Sequence, residues 1–339
     1  MQFVDCSGSP REMGRQYGEQ ARAGIRHNIE KFITPFLAEP AGRVAAIIRR
    51  RLGNTAPKIL TELEGIAEGS GISLDYLLLY NHVDTFGKEW RDECTPMALA
   101  GGRDGPIIAK NNDAPLEEDS AFVVRRSRPD KGYPLLQVIH AGLLNGMDAM
   151  NAVGLGNTHG SVGSVYDKSG WRLDIRLWTY HLMRNCRTTK EFLAGLLDVP
   201  LTGKGFNIAV VDQSGDTAII EAAIPLMAVR DRGKRIVYAT NHFNLPNLKS
   251  ADMRTPRAKE ISIYRYGYLE WQEQTAPPEN AEDIKRLLSG HLPWAPCRHG
   301  GPHGSKTVWS MIGLARHGKI LVSFGAPCTN EYNCYEIGP

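Results

Sequence analysis

Apolar side chains in the first 90 residues recur mainly at helical spacing. The segment 10–39 shows this spacing, and Ser9, Pro10 and Glu12 form the S-x-x-E signature of a capped helix start. Pro35 should kink or end that helix, since proline lacks the amide that a helix interior needs. Three shorter segments with the same spacing are also predicted helices: 44–52, 58–71 and 73–81. The sequence thus predicts an almost entirely helical N-terminal part.

The pattern changes at Cys94, after which short apolar runs alternate with turn residues. MALAGG and PIIAKN flank the turn sequence Arg103-Asp104-Gly105, which predicts a β-hairpin. Further predicted strands are 122–125, 135–140, 149–159, 206–212, 217–221, 235–240, 308–314 and 320–324. Predicted helices lie at 171–186, 190–197, 257–271 and 281–288. Strands in two groups, with helices between and after them, indicate an α+β layered domain.

Composition excludes several classes of function. The 40 basic and 37 acidic residues form no long block of one sign, so no nucleic-acid partner is predicted. No apolar run approaches membrane-spanning length and no secretory signal is recognisable, so we expect no membrane partner and a cytoplasmic location. Six cysteines are too few for a disulfide scaffold in 339 residues. Dinucleotide- and nucleotide-binding motifs are lacking, and no cofactor is predicted.

Cysteine and histidine residues near the C-terminus raise the question of a metal site. Cys297 is followed by His299 and His303, and Cys328 lies six residues before Cys334. Neither group has the two-residue cysteine spacing typical of structural zinc ligands, so no metal is predicted. The glycine-rich loop that begins at Cys297 is interpreted as a flexible connection near a site or as an ordinary surface loop.

The hairpin after Cys94 carries candidate chemistry. If the chain is cut before Cys94, this residue carries both a thiol nucleophile and a new α-amino group. The ordinary pKa of an α-amino group, about 7.7–8.0, suits a base at neutral pH. The hairpin would bring Lys110 and Asp113 back beside the cysteine, with Asn111 and Asn112 as further polar groups. On the local pattern alone, the alternative is a buried structural cysteine followed by an Asn-Asn-Asp turn.

Several segments, in order along nearly the whole chain, carry a family resemblance. They are GSPREMGRQYGEQARAGI, EGIAEGSGISLDYLLLYN, CTPMALAGGRDGPIIAKNND, DAMNAVGLGNTHGS, YATNHF, TPRAKEISIYR and SKTVWSMIGLARHGKILVSFGAPC. Together they resemble the cysteine N-terminal-nucleophile hydrolases of the acyl-coenzyme A:6-aminopenicillanate acyltransferase group, with the choloylglycine hydrolases as more distant relatives. The resemblance implies a four-layer αββα sandwich, a helical prosegment over residues 1–93 and a catalytic domain over residues 94–339. It implies no cofactor.

The resemblance also implies roles for individual residues. Cys94 matches the nucleophile, Asp113 the carboxylate that orients the new amine, and Asn241 the donor to the oxyanion. Lys110 stands where choloylglycine hydrolases have an arginine, and because an ammonium is a point charge rather than a two-pronged donor, its role stays open.

Three assignments remain open after the resemblance. Arg257 matches the buried arginine near the nucleophile, with Arg254 as the alternative. Glu93 precedes the nucleophile where the penicillin enzyme has a glycine, so cleavage at this bond departs from the family pattern. The candidates for a second donor at the site are Asn157, His159 and Ser161.

These residues predict a self-processing cysteine amidohydrolase or acyltransferase that acts on a linear non-peptide amide through a thioester on Cys94. The expected partners are a small-molecule amide or acyl donor and, after cleavage, the chain's own two fragments. One alternative is a papain-like thiol protease, which needs a helix to begin after the cysteine. The other is a non-catalytic protein of the same fold.

Overall fold

The structure, a computed structural model, describes residues 1–36, 41–82, 93–166, 172–300 and 304–338. The α-helices within these ranges are α1 (Pro10–Gln20), α2 (Arg22–Phe32), α3 (Ala41–Thr55), α4 (Pro57–Ser70), α5 (Leu74–Tyr80), α6 (Ile175–Asn185), α7 (Thr189–Leu197), α8 (Pro256–Thr275) and α9 (Ala281–Leu288). None of the helices described here combines the length and apolar character needed to cross a membrane.

The strands fall into two large sheets and one small one. They are β1 (Gln2–Gly8), β2 (Thr95–Leu99), β3 (Ile107–Pro115), β4 (Phe122–Pro129), β5 (Leu135–His140), β6 (Ala149–Asn151), β7 (Gly156–Ser161), β8 (Leu173–Asp174), β9 (Leu201–Thr202), β10 (Phe206–Val211), β11 (Thr217–Ala223), β12 (Leu226–Arg230), β13 (Ile236–Tyr238), β14 (Ser305–Leu314), β15 (Lys319–Phe324) and β16 (Tyr332–Glu336). One sheet has the order β1-β4-β5-β6-β7-β10-β11-β12, the second β13-β2-β3-β14-β15-β16, and β8 pairs with β9.

Apolar clusters show how the layers stack. Ala98 and Ile108 of the six-stranded sheet pack with Val124, Leu136 and Ile219 of the eight-stranded sheet, so the two sheets face each other. Helices α1 to α7 cover the outer face of the eight-stranded sheet. Helices α8 and α9 cover the outer face of the six-stranded sheet. This arrangement is the four-layer αββα sandwich that the family resemblance implies.

The N-terminal part begins with a strand, which corrects the expectation of an almost entirely helical segment. β1 pairs in parallel with β4 from Gln2 opposite Val123 to Gly8 opposite Pro129. Local patterning missed β1 because its partner lies far along the chain. The predicted helix start is confirmed, since Ser9 and Glu12 form a complete capping box.

Candidate active site

Cys94 lies at the start of β2, which pairs with β13 on one side and β3 on the other. Its side chain is buried, and Sγ donates to Asn112 Oδ1 on β3 at 3.6 Å. Side chains alternate between the faces of a strand. Ile108 packs between the sheets and Ala109 packs against the helices. Asn112 therefore faces the space between the sheets, and the thiol contacts it there.

A small, partly open cavity of about 50 Å³ lies beside Asn112. Polar lining comes from Asn112, Asp148, His159 and Ser161, while Trp309 contributes an apolar wall. Further apolar lining residues are Phe122, Val138, Ile139, Leu143 and Phe206. Pockets for small organic ligands combine apolar walls with a few polar groups, and the lining of this cavity has that character. One hydrogen bond connects the Cys94 thiol to the cavity lining.

Asp113 lies on the opposite face of β3 from Asn112, beside the peptide bond that precedes Cys94. The Glu93 amide donates to the Asp113 carbonyl at 3.1 Å, and Thr307 Oγ1 donates to Asp113 Oδ1 at 2.6 Å. The other carboxylate oxygen, Oδ2, is buried and has no hydrogen-bond partner among the described residues. Burial raises the pKa of Asp113 to about 7, although Arg265 and the Thr307 hydroxyl act to lower it.

Asn241 and Arg265 connect the elements around Cys94. Asn241, which follows β13, is buried, and its Nδ2 donates to the Ser161 carbonyl at 2.7 Å. Arg265 on α8 is also buried. Its Nη2 donates to the Cys94 carbonyl at 3.4 Å and contacts Asn241 Oδ1. One guanidinium thus holds the candidate nucleophile and the candidate oxyanion donor together.

The structure does not bring Arg257 to this cluster, which corrects the sequence-based expectation. The Arg257 side chain is 61% exposed and pairs with Glu260 at 2.8 Å. Its alternative, Arg254, donates to the Asn241 carbonyl at 3.3 Å. Arg265 contacts Cys94 itself. The physical reason is that the start of α8 is exposed, whereas its buried face begins further along.

A signal for Arg265 was available in the sequence. It lies four residues after Ile261 and four before Leu269, and all three side chains are buried. Residues at this spacing share one face of a helix. A charged residue at an apolar position of such a face indicates a buried charge with a specific partner.

Glu93 is tied to the same cluster through its carboxylate. Ser305 Oγ donates to Glu93 Oε2 at 3.0 Å. Arg265 Nη1 lies 3.6 Å from Oε2, and Arg298 Nε lies 4.0 Å from it. Both guanidinium groups are almost fully buried, so the Glu93 carboxylate supplies negative charge that compensates them. Glu93, which departs from the family pattern, is therefore held by a hydrogen bond from Ser305 and by the charges of Arg265 and Arg298.

Lys110 faces the space between the sheets and forms a buried ion pair. Its Nζ lies 2.8 Å from Asp148 Oδ2 and 5.1 Å from the centre of the Trp309 ring. His159 Nδ1 lies 3.1 Å from the same carboxylate oxygen. Although burial acts to raise it, the pKa of Asp148 is lowered, because His159 and Lys110 favour the charged form. Lys110 thus has a partner at the cavity that local patterning did not identify.

The three candidates for a second donor occupy different places. His159 and Ser161 line the cavity. Asn157 Nδ2 donates to the Gly146 carbonyl at 2.8 Å, which ties Asn157 to the loop before Asp148. Of these candidates, His159 lines the cavity and has its ring held by Asp148.

A family model described as acyl-coenzyme A:6-aminopenicillanic acid acyl-transferase matches residues 100–328, more than half of the chain. The match confirms the resemblance found in the sequence. It begins after Cys94 and contains Lys110, Asp113, Asn241 and Arg265. A search of curated proteins finds no match.

Solved structures with a similar backbone fold include three proteins. Penicillin V acylase from Agrobacterium tumefaciens is 16% identical, with 72% of this chain and 86% of that chain covered and a TM-score of 0.47. A variant of conjugated bile acid hydrolase from Clostridium perfringens is 12% identical, with 72% and 97% covered and a TM-score of 0.46. The N-acylethanolamine-hydrolyzing acid amidase ortholog of Caenorhabditis elegans is 12% identical, with 66% and 93% covered and a TM-score of 0.41.

Proposed function

Because the chain belongs to the acyl-coenzyme A:6-aminopenicillanic acid acyl-transferase family, we propose that it is a self-processing cysteine enzyme acting on a linear non-peptide amide. Cys94 is the nucleophile, and cleavage before it creates the α-amino group that serves as its base. The acyl group passes from the amide to the thiol and then to water or to an amine. Water gives hydrolysis, and an amine gives acyl transfer.

The observation that carries the proposal is the position of Asp113 beside the bond to be cut. Glu93 and Asp113 share a main-chain hydrogen bond, and the buried Asp113 Oδ2 has no hydrogen-bond partner among the described residues. An unpaired buried carboxylate oxygen is unfavourable. We assign to this carboxylate the amine that cleavage before Cys94 would release on the paired strand. The product of the cut thus supplies the partner that Asp113 lacks in the intact chain.

Processing begins with the Cys94 thiol. The sulfur attacks the Glu93 carbonyl carbon, the carbon–nitrogen bond to Cys94 breaks, and a thioester to Glu93 forms while the nitrogen takes a proton. Water then hydrolyses the thioester, which leaves a new C-terminal α-carboxylate on Glu93 and restores the Cys94 thiol. The contacts of Glu93 with Ser305, Arg265 and Arg298 fix the acyl side of this bond. Positioning of this kind lowers the barrier of an intramolecular attack.

Turnover follows the same chemistry with an external amide. The new amine takes the thiol proton, the sulfur attacks the amide carbon, and the amine returns the proton to the leaving nitrogen. Negative charge develops on the amide oxygen in between. Asn241 carries two amide N–H groups. One of them donates to Ser161 and the other is assigned to this oxygen.

The cavity beside Asn112 is assigned to the substrate. Its apolar wall of Phe122, Phe206 and Trp309 suits an acyl chain, and the Asp148–His159 pair suits a polar group. Asn112 links the cavity to Cys94, because it lines the cavity and its Oδ1 accepts a hydrogen bond from the thiol.

The papain-like alternative needs a helix that begins directly after the cysteine. Strand β2 begins there instead, at Thr95. A thiol at the head of a central strand favours an N-terminal nucleophile over a helix-activated one. The non-catalytic alternative differs in leaving the chain uncut.

Intact mass measurement of the purified chain beside a Cys94→Ala variant tests the proposal. We expect the wild type to give two fragments that divide before Cys94, and Cys94→Ala to give one uncut chain. The wild type should also release a burst of p-nitrophenol from a p-nitrophenyl ester, and Cys94→Ala should not. Cys334→Ala is the matched control, because Cys334 is exposed on β16, and it should behave as the wild type. An uncut wild type that still shows the burst would refute the need for processing. An uncut wild type without a burst would support the non-catalytic alternative.

A further inference from the structure

Four metal-binding side chains meet on the side of the six-stranded sheet, near the loop that leads into β14. His291, Cys297 and His299 come from this loop, and Cys328 comes from the turn between β15 and β16. Their donor atoms all lie within 4.8 Å of one another. We propose that these four side chains bind a structural Zn²⁺ ion. The site is separate from the proposed chemistry of Cys94.

Neighbouring donor atoms lie 3.0–3.6 Å apart, which is close to the spacing around a shared metal ion. Cys297 Sγ lies 3.6 Å from Cys328 Sγ and 3.4 Å from His299 Nε2. His299 Nε2 lies 3.0 Å from Cys328 Sγ and 3.1 Å from His291 Nε2. Tetrahedral zinc, with bonds of about 2.3 Å to sulfur and about 2.0–2.1 Å to nitrogen, separates its donors by about 3.3–3.8 Å. The four side chains are therefore close to the required geometry.

The donor set favours zinc by its chemistry. Two thiolates and two neutral imidazoles are the Cys₂His₂ set of structural zinc sites, and four protein ligands leave no position for a substrate. Calcium and magnesium prefer oxygen donors, which this cluster lacks. The two ring nitrogens, His291 Nε2 and His299 Nε2, lie 3.1 Å apart, so both are within reach of one ion. Cys297 is buried while both histidines are exposed, so an ion can enter from solvent.

The backbone around the cluster holds its members in place. The Cys297 amide donates to the Gly290 carbonyl at 3.2 Å, and the Gly300 amide donates to the Ser305 carbonyl at 2.7 Å. His299 forms an isolated β-bridge with Lys306 at the start of β14. Three of the four ligands therefore lie on a loop that these contacts hold in place, and binding costs little further ordering.

Arg298 connects the proposed zinc site to the residues around Glu93 and Asp113. This residue stands between the ligands Cys297 and His299, and its guanidinium lies near the Glu93 carboxylate. The Arg298 amide donates to Thr307 Oγ1 at 2.9 Å, and the same hydroxyl donates to Asp113. An ion held by both neighbours of Arg298 would fix the loop that carries these contacts.

Sequence spacing predicts no metal site, because the fourth ligand comes from a distant turn. Cys328 reaches the loop through the fold of the sheet, while Cys334, which is closer to Cys328 in sequence, is exposed on β16 and takes no part. The proposal revises the prediction from spacing. His303 lies outside the described residues.

Metal analysis of the full chain purified under reducing conditions without added chelator tests the site. Elemental mass spectrometry should find about one zinc ion per chain, as expected for a closed structural site. Cys328→Ser and His291→Ala should lose this zinc. Cys334→Ser and His317→Ala should keep it, because these matched residues are exposed and lie outside the cluster.

A second measurement guards against variants that fail to fold. Wild-type protein stripped of metal by a chelator should bind Co²⁺ with the thiolate-to-cobalt absorption and intense visible bands of a tetrahedral site, and added Zn²⁺ should abolish both. Weak octahedral bands, or no thiolate absorption, would overturn the proposal. A Cys297–Cys328 disulfide in the freshly purified protein, or zinc retained by both ligand variants, would also overturn it.

Discussion

Arg265 donates from its buried guanidinium to the main-chain oxygen of Cys94 at 3.4 Å. The same nitrogen contacts Asn241, and Arg265 Nη1 lies 3.6 Å from the carboxylate of Glu93. A single side chain from α8 therefore reaches both sides of the bond that the proposed function requires to be cut. Arg257 on the same helix reaches solvent.

Replacing Arg265 should therefore impair both folding and processing. Arg265→Met leaves the Glu93 carboxylate with fewer compensating charges, and breaking a buried pair costs about 3–5 kcal/mol. We expect a lower free energy of unfolding in urea and slower appearance of the fragment that begins at Cys94. Arg257→Met should change stability by no more than about 0.5 kcal/mol, since exposed pairs contribute little. Equal cleavage rates in the two variants at a temperature where both are folded would contradict the role of Arg265.

The stability of the uncut chain should depend on the titration of Asp113. Burial raises the pKa of Asp113 in the uncut chain from 3.8 to about 7, and we expect the Cys94→Ala variant to stay uncut. The folded chain therefore holds a proton that the unfolded chain has released, so this contribution to stability is present below pH 3.8 and is lost as the pH rises through about 7. Arg265, Arg298 and Glu93 are the charged groups that face Asp113.

The measurement is a series of urea denaturations across this pH range, with and without Asp113→Asn added to Cys94→Ala. The difference between the two free energies of unfolding should change with pH in the stated direction, because all other groups cancel in the subtraction. A difference that stays constant with pH would show that Asp113 keeps its ordinary pKa in the uncut chain.

Lys110 and Asp148 should show strong energetic coupling. Lys110→Met leaves the buried Asp148 carboxylate without its nearest cation, and we expect a loss of about 3–5 kcal/mol in the free energy of unfolding. Adding Asp148→Asn removes the uncompensated charge and should restore part of that loss. A double-mutant cycle by urea denaturation measures the coupling, and additivity within about 0.5 kcal/mol would show that the ion pair contributes nothing specific.

Glu93 should matter for processing in spite of its departure from the family pattern. Glu93→Gln keeps the shape and the hydrogen bond from Ser305, but it leaves Arg265 and Arg298 without the carboxylate between them. We expect the fragment that begins at Cys94 to appear more slowly, as measured by intact mass over time after synthesis. Glu117→Gln is the matched control, because Glu117 is exposed. An unchanged rate in Glu93→Gln would show that the charge of Glu93 does not contribute to processing.

Much of the fold could be predicted because it is encoded locally. The capping signature at Ser9, the hairpin after Cys94 and the predicted strand 206–212 all correspond to observed elements. The predicted strand 149–159 is instead two strands, β6 and β7, because the chain turns between them at Gly154, whose φ of 82° suits glycine. Local patterns specify a turn less clearly than they specify the strands beside it.

The site could be predicted only where its residues share one hairpin. Cys94 and Asp113 lie on paired strands, so short-range spacing was sufficient to associate them. Arg265, Asp148 and Ser305 come from distant elements, and their contacts arise from the packing of whole layers. The spacing of residues along the sequence does not indicate which of these side chains will be buried against each other.

The pairing of β1 with β4 determines what a cut before Cys94 would do to the molecule. All seven residues of β1 pair with β4, and the buried Glu62 of α4 forms an ion pair with the buried Arg125 of β4. The first 82 residues also supply most of the helices on the outer face of the larger sheet. Cutting the chain would therefore turn one polypeptide into a permanent two-chain assembly. The shorter chain would remain as a subunit, made in a one-to-one ratio with its partner. A fragment synthesised from Cys94 onward would lack β1 and five of the described helices that cover the larger sheet.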